Sequence, residues 1–213
     1  MKEIYPMNCT SLVLASSLCC CVFAQQPNNS EAFRKDILDK FPRTGLSTTP
    51  PDAMMLRILV ESSGAKRGVE VGAASGFGAM NMGIAFERNG GHLYSLEIDP
   101  RRVQEIRKNV EKVGLEKTCT VVEGDALKTL AALTGEFDFV FLDALKPDYL
   151  KYFKLIEPKL KRGAVVVADN VIVSERQMAD FLSYVRTSPN YDTVTIRASD
   201  EKGDGMTVSY KIR

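Results

Sequence analysis

Asp143, Lys146, Asp169 and Asn170 are the residues whose types and spacing could do chemistry. Each follows an apolar run, the first pair in "FDFVFLDALK" and the second in "GAVVVADN". A carboxylate at the end of a buried run needs a partner, because an unpaired charge taken out of water is strongly disfavoured. Asp143, Asp169 and Asn170 together offer two carboxylates and one neutral amide oxygen. Hard oxygen donors of this kind suit Mg2+ or another divalent cation, which keeps waters or substrate oxygens beside a few carboxylates. No His or Cys pair competes for a softer metal. Lys146, three residues after Asp143, is the candidate general base. Taken singly, either aspartate could merely cap the helix that follows it.

These residues need a scaffold that gathers separate segments at one edge. From Gly64 onward, short β-branched runs alternate with amphipathic stretches, from "RGVEVGA" and "HLYSLEI" through "CTVVEG" and "FDFVFLDA" to "GAVVVADN", giving five βα units. This pattern predicts an α/β fold, a Rossmann-like doubly wound sheet with helices on both faces. "YDTVTIRAS" and "GMTVSYKI" follow with no helix between them and close the sheet as a hairpin, so seven strands are expected, mostly parallel with one antiparallel near the C-terminus. Ligands of such sheets bind beyond the carboxyl ends of the strands, where the strand order reverses. The segment from Glu70 to Gly78, Glu97, Gly124, Asp125, Asp143 and Asp169 all fall at predicted strand ends.

In "VEVGAASGFG", Gly72, Gly76 and Gly78 lie in a strand-to-helix turn where missing side chains let the backbone approach a ligand. The spacing is G-x-x-x-G-x-G, which departs from the G-x-G-x-x-G fingerprint that holds a pyrophosphate. Glu97, about 20 residues further on at the end of the next strand, is placed to accept both hydroxyls of a ribose. An adenosine-bearing cofactor without a pyrophosphate follows from the pair.

The segment with Glu70, Gly72 and Gly76 resembles the first motif, E-x-G-x-x-x-G, of the class I S-adenosylmethionine-dependent methyltransferases. From Leu46 to the C-terminus the chain is similar to the catechol and caffeoyl-CoA type of small-molecule O-methyltransferases, through "VEVGAASGFGA", "LYSLEIDP", "GDALKTL", "FVFLDALKPDY" and "VVADNVIV". The resemblance implies a metal-dependent O-methyltransferase that moves a methyl group from S-adenosylmethionine to a hydroxyl of a catechol-like or hydroxycinnamoyl-like acceptor. It also implies that Leu46, Ser47 and Thr48 hold the methionine end together with Gly72 and the turn from Gly76 to Gly78. Glu97 would bind the ribose, Ile98 with Gly124, Asp125 and Ala126 would surround the adenine, and Glu70 and Asp143 would border the cofactor. Asp143, Asp169 and Asn170 fall on the family's metal positions, and Lys146 and Tyr149 complete its D-A-x-K-x-x-Y pattern. A diol could then reach the metal through two oxygens while Lys146 takes a proton. Two departures stand out. Ala144 occupies a position that is His in the catechol enzymes, and Thr207 stands about where they carry a Glu that holds the second hydroxyl, so strict catechol specificity is not implied. The short segment before Leu46 implies a reduced lid over the acceptor.

The 213 residues are 45% hydrophobic and 26% charged with a net charge of +1, which fits one globular domain and gives no basic face for nucleic acid. Residues 1–24 read as a signal peptide, with "SLVLASSLCCCVFA" as its apolar core; an uncleaved short anchor, which alone would bring a membrane into play, is the alternative. Export to a periplasmic or extracellular location follows if the leader works, and a membrane-anchored or cytoplasmic protein if it does not. Residues 25–45 are expected to form a linker and a short helix capped by Ser30, and residues 46–213 the catalytic domain. Four of the five cysteines lie in the leader, leaving Cys119 as a buried structural thiol and excluding a disulfide scaffold. The oligomeric state stays open between a single chain and a homodimer. Two other classes compete: a non-catalytic cofactor-binding protein of the same fold, and a nicotinamide-dependent oxidoreductase, against which the glycine spacing speaks.

Overall fold

The computed structural model describes residues 30–201 and 203–213, so the expected leader and the first residues of the expected linker lie outside the described residues. Ser30 caps α1 (Glu31–Asp39) by accepting from the Phe33 N–H at 3.3 Å. Arg34 of α1 is 2% exposed, and its guanidinium donates to the Glu87 carboxylate and to the carbonyls of Val113 and Gly114.

The stretch after Leu46 holds a further helix beyond those of the βα alternation, α2 (Pro50–Ser63). Thr49 caps it through Asp52, its two prolines sit in the first turn where no N–H is missed, and Gly64 ends it in the left-handed region. Its apolar residues form no single stripe. Leu56 and Val60 are buried whereas Met54 and Ile58 are exposed, which blurs the helical period.

The expected alternation then unfolds as β1 (Arg67–Val71), α3 (Phe77–Asn89), β2 (His92–Glu97), α4 (Pro100–Lys112), β3 (Cys119–Glu123), α5 (Ala126–Ala132), β4 (Phe137–Leu142), α6 (Tyr149–Ile156), β5 (Leu160–Ala168) and α7 (Ala179–Thr187). The closing pair is β6 (Tyr191–Ile196) and β7 (Met206–Lys211). β5 starts at Leu160, ahead of the Gly163 start suggested by sequence, with a register irregularity opposite Phe137 and Phe139.

The seven strands run in the order β3-β2-β1-β4-β5-β7-β6. β1 to β5 are parallel, and β7 alone opposes its neighbours β5 and β6. Side chains alternate between the two faces. Phe139, Phe141, Val165 and Val167 pack with Leu56, Met80, Ile84 and Ile106 on one side, while Val140, Leu142, Val166 and Ala168 pack with Leu130, Phe153 and Phe181 on the other. Cys119 is buried in the first of these cores, and burial pushes its thiol pKa far up, which keeps it an inert packing group. The chain winds outward from β1 to β3, then returns to place β4 against the free side of β1. The reversal therefore falls between β1 and β4, and their carboxyl ends open a crevice there. Among the described residues no helix is long and apolar enough to cross a membrane.

Candidate active site

A cleft of about 860 Å³ lies over this crevice. One half is built around Glu97. The chain leaves β1 through Gly72, at φ 90°, and then through Ala74, a non-glycine residue held at φ 50°. The Ala74 N–H donates to Glu97 Oε2 at 3.0 Å, while the N–H groups of Ile98 and Asp99 both donate to Oε1 at 2.9 Å. Glu97 is thus a clamp on the glycine-rich turn as well as a lining residue. Oε1 is filled by its two backbone donors, whereas Oε2 accepts one and keeps a further lone pair for a hydroxyl donor. Ile98, Gly124, Asp125 and Ala126 line the same half, with Asp125 also capping α5 through the Leu127 N–H at 2.9 Å. Leu46 and Ser47 close the side opposite, where the Ser47 and Ser75 hydroxyls meet at 2.9 Å and tie the segment before α2 to the turn.

Four residues expected near the cofactor stand outside the cleft lining: Thr48, Glu70, Gly76 and Gly78. Glu70 alternates onto the α3 face of β1, where it is 1% exposed and accepts from the Ser95 hydroxyl at 2.5 Å. Burial pushes its carboxyl pKa up to about 8, against the pull of the Ser95 hydrogen bond. Gly78 makes room for it, since a Cβ there would lie 2.6 Å from Glu70 Oε1. Gly76 precedes α3 and packs on Ile106. These residues shape the floor beneath the turn.

The other half joins β4 to β5. Leu142 pairs with Ala168, so Asp143 and Asp169 follow neighbouring strand ends, and the Asp169 N–H donates to Leu142 O at 3.0 Å. Lys146 Nζ donates to Asp143 Oδ1 and to the Tyr149 hydroxyl, each at 2.8 Å, and Tyr149 donates in turn to Asp169 O at 3.2 Å. The Lys146 and Asp143 side chains are 17% and 13% exposed, so the pair borders the cleft without being bathed in water. Burial, reinforced by Asp143 and Asp169, holds the Tyr149 pKa well above that of a free phenol, and the hydroxyl stays neutral. Asn170 lines the cleft at φ 62°; Asp169 is 1% exposed, lies outside the lining, and accepts the Asn170 N–H at 2.7 Å.

The sequence model of the O-methyltransferase family matches residues 24–181. The chain belongs to this O-methyltransferase family. It is 34% identical to the catechol O-methyltransferase of Niastella koreensis over 131 residues, 60% of this chain and 59% of that protein. Against the catechol O-methyltransferase of Mycobacterium tuberculosis the identity is 31% over 183 residues, covering 80% of this chain and 82% of the other. The O-methyltransferase from Bacillus cereus, in a crystal structure in complex with SAH, shares the fold with a TM-score of 0.75 at 20% identity, covering 90% of this chain and 93% of that one. Membership of the O-methyltransferase family displaces the nicotinamide-dependent oxidoreductase as a reading of the glycine-rich turn.

Within this O-methyltransferase framework, Thr207 does not take the place that the sequence resemblance gave it. It sits on β7 opposite Ala168, fully buried with its hydroxyl unpartnered, and has no access to the cleft. The acid that reaches the cleft from this segment is Asp204, three residues earlier in "GDG". Its signal in the sequence was a carboxylate between two glycines before a strand, which reads equally as a turn. Burial works to raise the Asp204 pKa, yet the N–H groups of Val173, Gly205 and Ile172 with the Asn170 amide hold it below the usual carboxylate value. Leu145, Tyr152, Val173 and Arg102 also line the cleft and carried no recognisable signal.

Among the described residues no group of three or more His, Cys, Asp or Glu converges, so a cation would rely on two carboxylates and an amide oxygen. Asp143, Asp169 and Asn170 are oxygen donors at neighbouring strand ends, and this set fits a hard divalent ion that retains other oxygen ligands.

Proposed function

We propose that this chain transfers a methyl group from S-adenosylmethionine to a hydroxyl of a small hydroxylated aromatic, catechol-like or hydroxycinnamoyl-like, with Mg2+ or another divalent cation held by Asp143, Asp169 and Asn170. The observation that carries the reading is the meeting in one cleft of the Glu97 clamp with the Lys146–Asp143 pair. The SAH complex of the Bacillus cereus relative and the names of the catechol O-methyltransferases support it. When bound, S-adenosylmethionine supplies an electrophilic methyl group, and a divalent cation makes a neighbouring hydroxyl easier to ionise.

The chain's own residues bind, orient and move a proton. Glu97 accepts from a ribose hydroxyl through Oε2, the oxygen on which the backbone leaves a lone pair over, while Ile98 and Ala126 offer apolar walls to the adenine. Lys146, in its neutral form, takes the proton of the acceptor hydroxyl; Asp143 and Tyr149 are already in place to hold the ammonium that results. Leu46, Leu145 and Val173 stand 62%, 62% and 70% exposed at the cleft, an apolar rim around a charged floor. That combination suits a flat ring carrying hydroxyl groups. Alignment of the two bound reactants in one cleft contributes much of the acceleration.

The test is a methyl-transfer assay with labelled S-adenosylmethionine on vicinal diols, simple phenols and CoA esters, with Mg2+ and after chelation. Transfer to a diol that stops on chelation and returns with Mg2+ is the expected result. Turnover indifferent to chelation would remove the cation from the proposal. Calorimetric binding of S-adenosylmethionine with no turnover on any acceptor would favour a non-catalytic binding protein instead.

A further inference from the structure

We propose that Asp204 fixes which end of the Asn170 side-chain amide faces the cleft, making it a positioning residue for the cation arm of the site; the inference rests on the cation reading above. An amide is nearly symmetric in shape but opposite in chemistry at its two ends, one accepting and one donating. Packing alone therefore cannot orient it, and a hard cation accepts only the oxygen end. Asp204 Oδ2 lies 3.1 Å from Asn170 Nδ2. A carboxylate only accepts, so the amide must turn its NH2 to Asp204 and its Oδ1 away from it.

Asp204 is itself held against rotation. Its Oδ1 accepts from the N–H groups of Ile172 at 2.9 Å, Val173 at 3.1 Å and Gly205 at 2.8 Å, and the residue is 5% exposed. The Val171 N–H donates to Gly205 O at 3.0 Å across the same junction. Asn170, at φ 62°, is one of two described non-glycine residues in the left-handed region. Its backbone is thus placed by the segment after β5 and its side chain by the segment before β7.

Asp204→Asn separates this role from that of a loop staple. The variant keeps an oxygen for the three backbone donors but sets an NH2 group against the NH2 of Asn170, so the Asn170 amide turns round and loses its oxygen from the cleft. The full chain, with S-adenosylmethionine present, would be titrated calorimetrically with Mg2+ and with Mn2+, and the Asn170 NH2 followed by nitrogen-15 NMR, assigned through Asn170→Ala. The expected result is a thermal midpoint close to that of wild type, cation affinity lower by roughly ten- to a hundredfold, and a shifted, faster-exchanging Asn170 NH2. Wild-type affinity together with an unmoved NH2 signal would overturn the proposal. Wild-type protein that binds neither cation would overturn the cation reading, while the NH2 signal still decides the orientation. If Asp204→Asn does not fold, the wild-type spectrum decides: an Asn170 NH2 that exchanges as fast as exposed asparagines overturns the assignment, and a protected one supports it.

Discussion

Gly72 and Asp143 touch backbone to backbone: a Cβ on Gly72 would lie 2.3 Å from the Asp143 carbonyl oxygen. The ends of β1 and β4 are drawn together there, with the Asp143 N–H donating to Val71 O at 2.9 Å. The cofactor turn and the Lys146 loop thus share one rigid seam. Gly72→Ala combines this overlap with backbone strain at φ 90°, which by itself costs about 1–3 kcal/mol. A thermal midpoint lowered by several degrees and a loss of methyl transfer are expected, read by calorimetry and the transfer assay.

The Glu70 carboxyl makes stability depend on pH. Its folded-state pKa of about 8 exceeds the ordinary value of 4.5, so the folded chain keeps a proton that the unfolded chain releases. The contribution is complete below pH 4.5 and is lost progressively as pH rises to about 8, with a slope of at most about 1.4 kcal/mol per pH unit. Glu70→Gln should flatten that decline, so its advantage over wild type grows across the window. Urea unfolding of both proteins at several pH values checks this, and parallel profiles would refute it.

Lys146→Ala should lower kcat by roughly a hundredfold or more, the usual scale for losing a general base. Its affinity for S-adenosylmethionine should barely change, because Glu97 lies on another strand end. Tyr149→Phe removes the hydroxyl that links Lys146 to the Asp169 carbonyl, and should cost about 1 kcal/mol of stability and a smaller part of kcat. Steady-state kinetics beside calorimetric titration separates the two effects.

Glu97→Ala and Asp169→Ala should fail in opposite ways. The first orphans the N–H groups of Ala74, Ile98 and Asp99 and removes the ribose acceptor, so cofactor affinity should fall at least about tenfold. The second should abolish metal dependence and most turnover while leaving cofactor affinity close to wild type. Equal loss of cofactor binding in both would contradict the division of the cleft into two halves.

Much of this architecture was legible because its signals are local. Short apolar runs ending abruptly in Glu97, Asp143 and Asp169 marked both the strands and the edge at which they stop, since a buried strand tolerates such residues only where partners are available. α2 has no clear signature in the sequence because Met54 and Ile58 expose apolar side chains on its outer face. Glu70 stands in sequence beside the glycine-rich turn, yet alternation along β1 turns it under α3, away from the cleft lining. The reach of Asp204 depends on a loop that brings residue 204 to residue 170, a contact with no local signature.

By itself, then, the sequence determined the alternation of strands and helices, the glycine-rich turn and the polar residues that close each strand, because each of these is set by neighbours a few positions away. Tertiary structure alone decided that β1 meets β4, that Glu97 already accepts from the backbone, through Oε2 from Ala74 of the turn and through Oε1 from Ile98 and Asp99, and that Asp204, in place of Thr207, faces the site. Those outcomes depend on which distant segments pack together and which lone pairs remain afterwards, and a one-dimensional pattern carries neither.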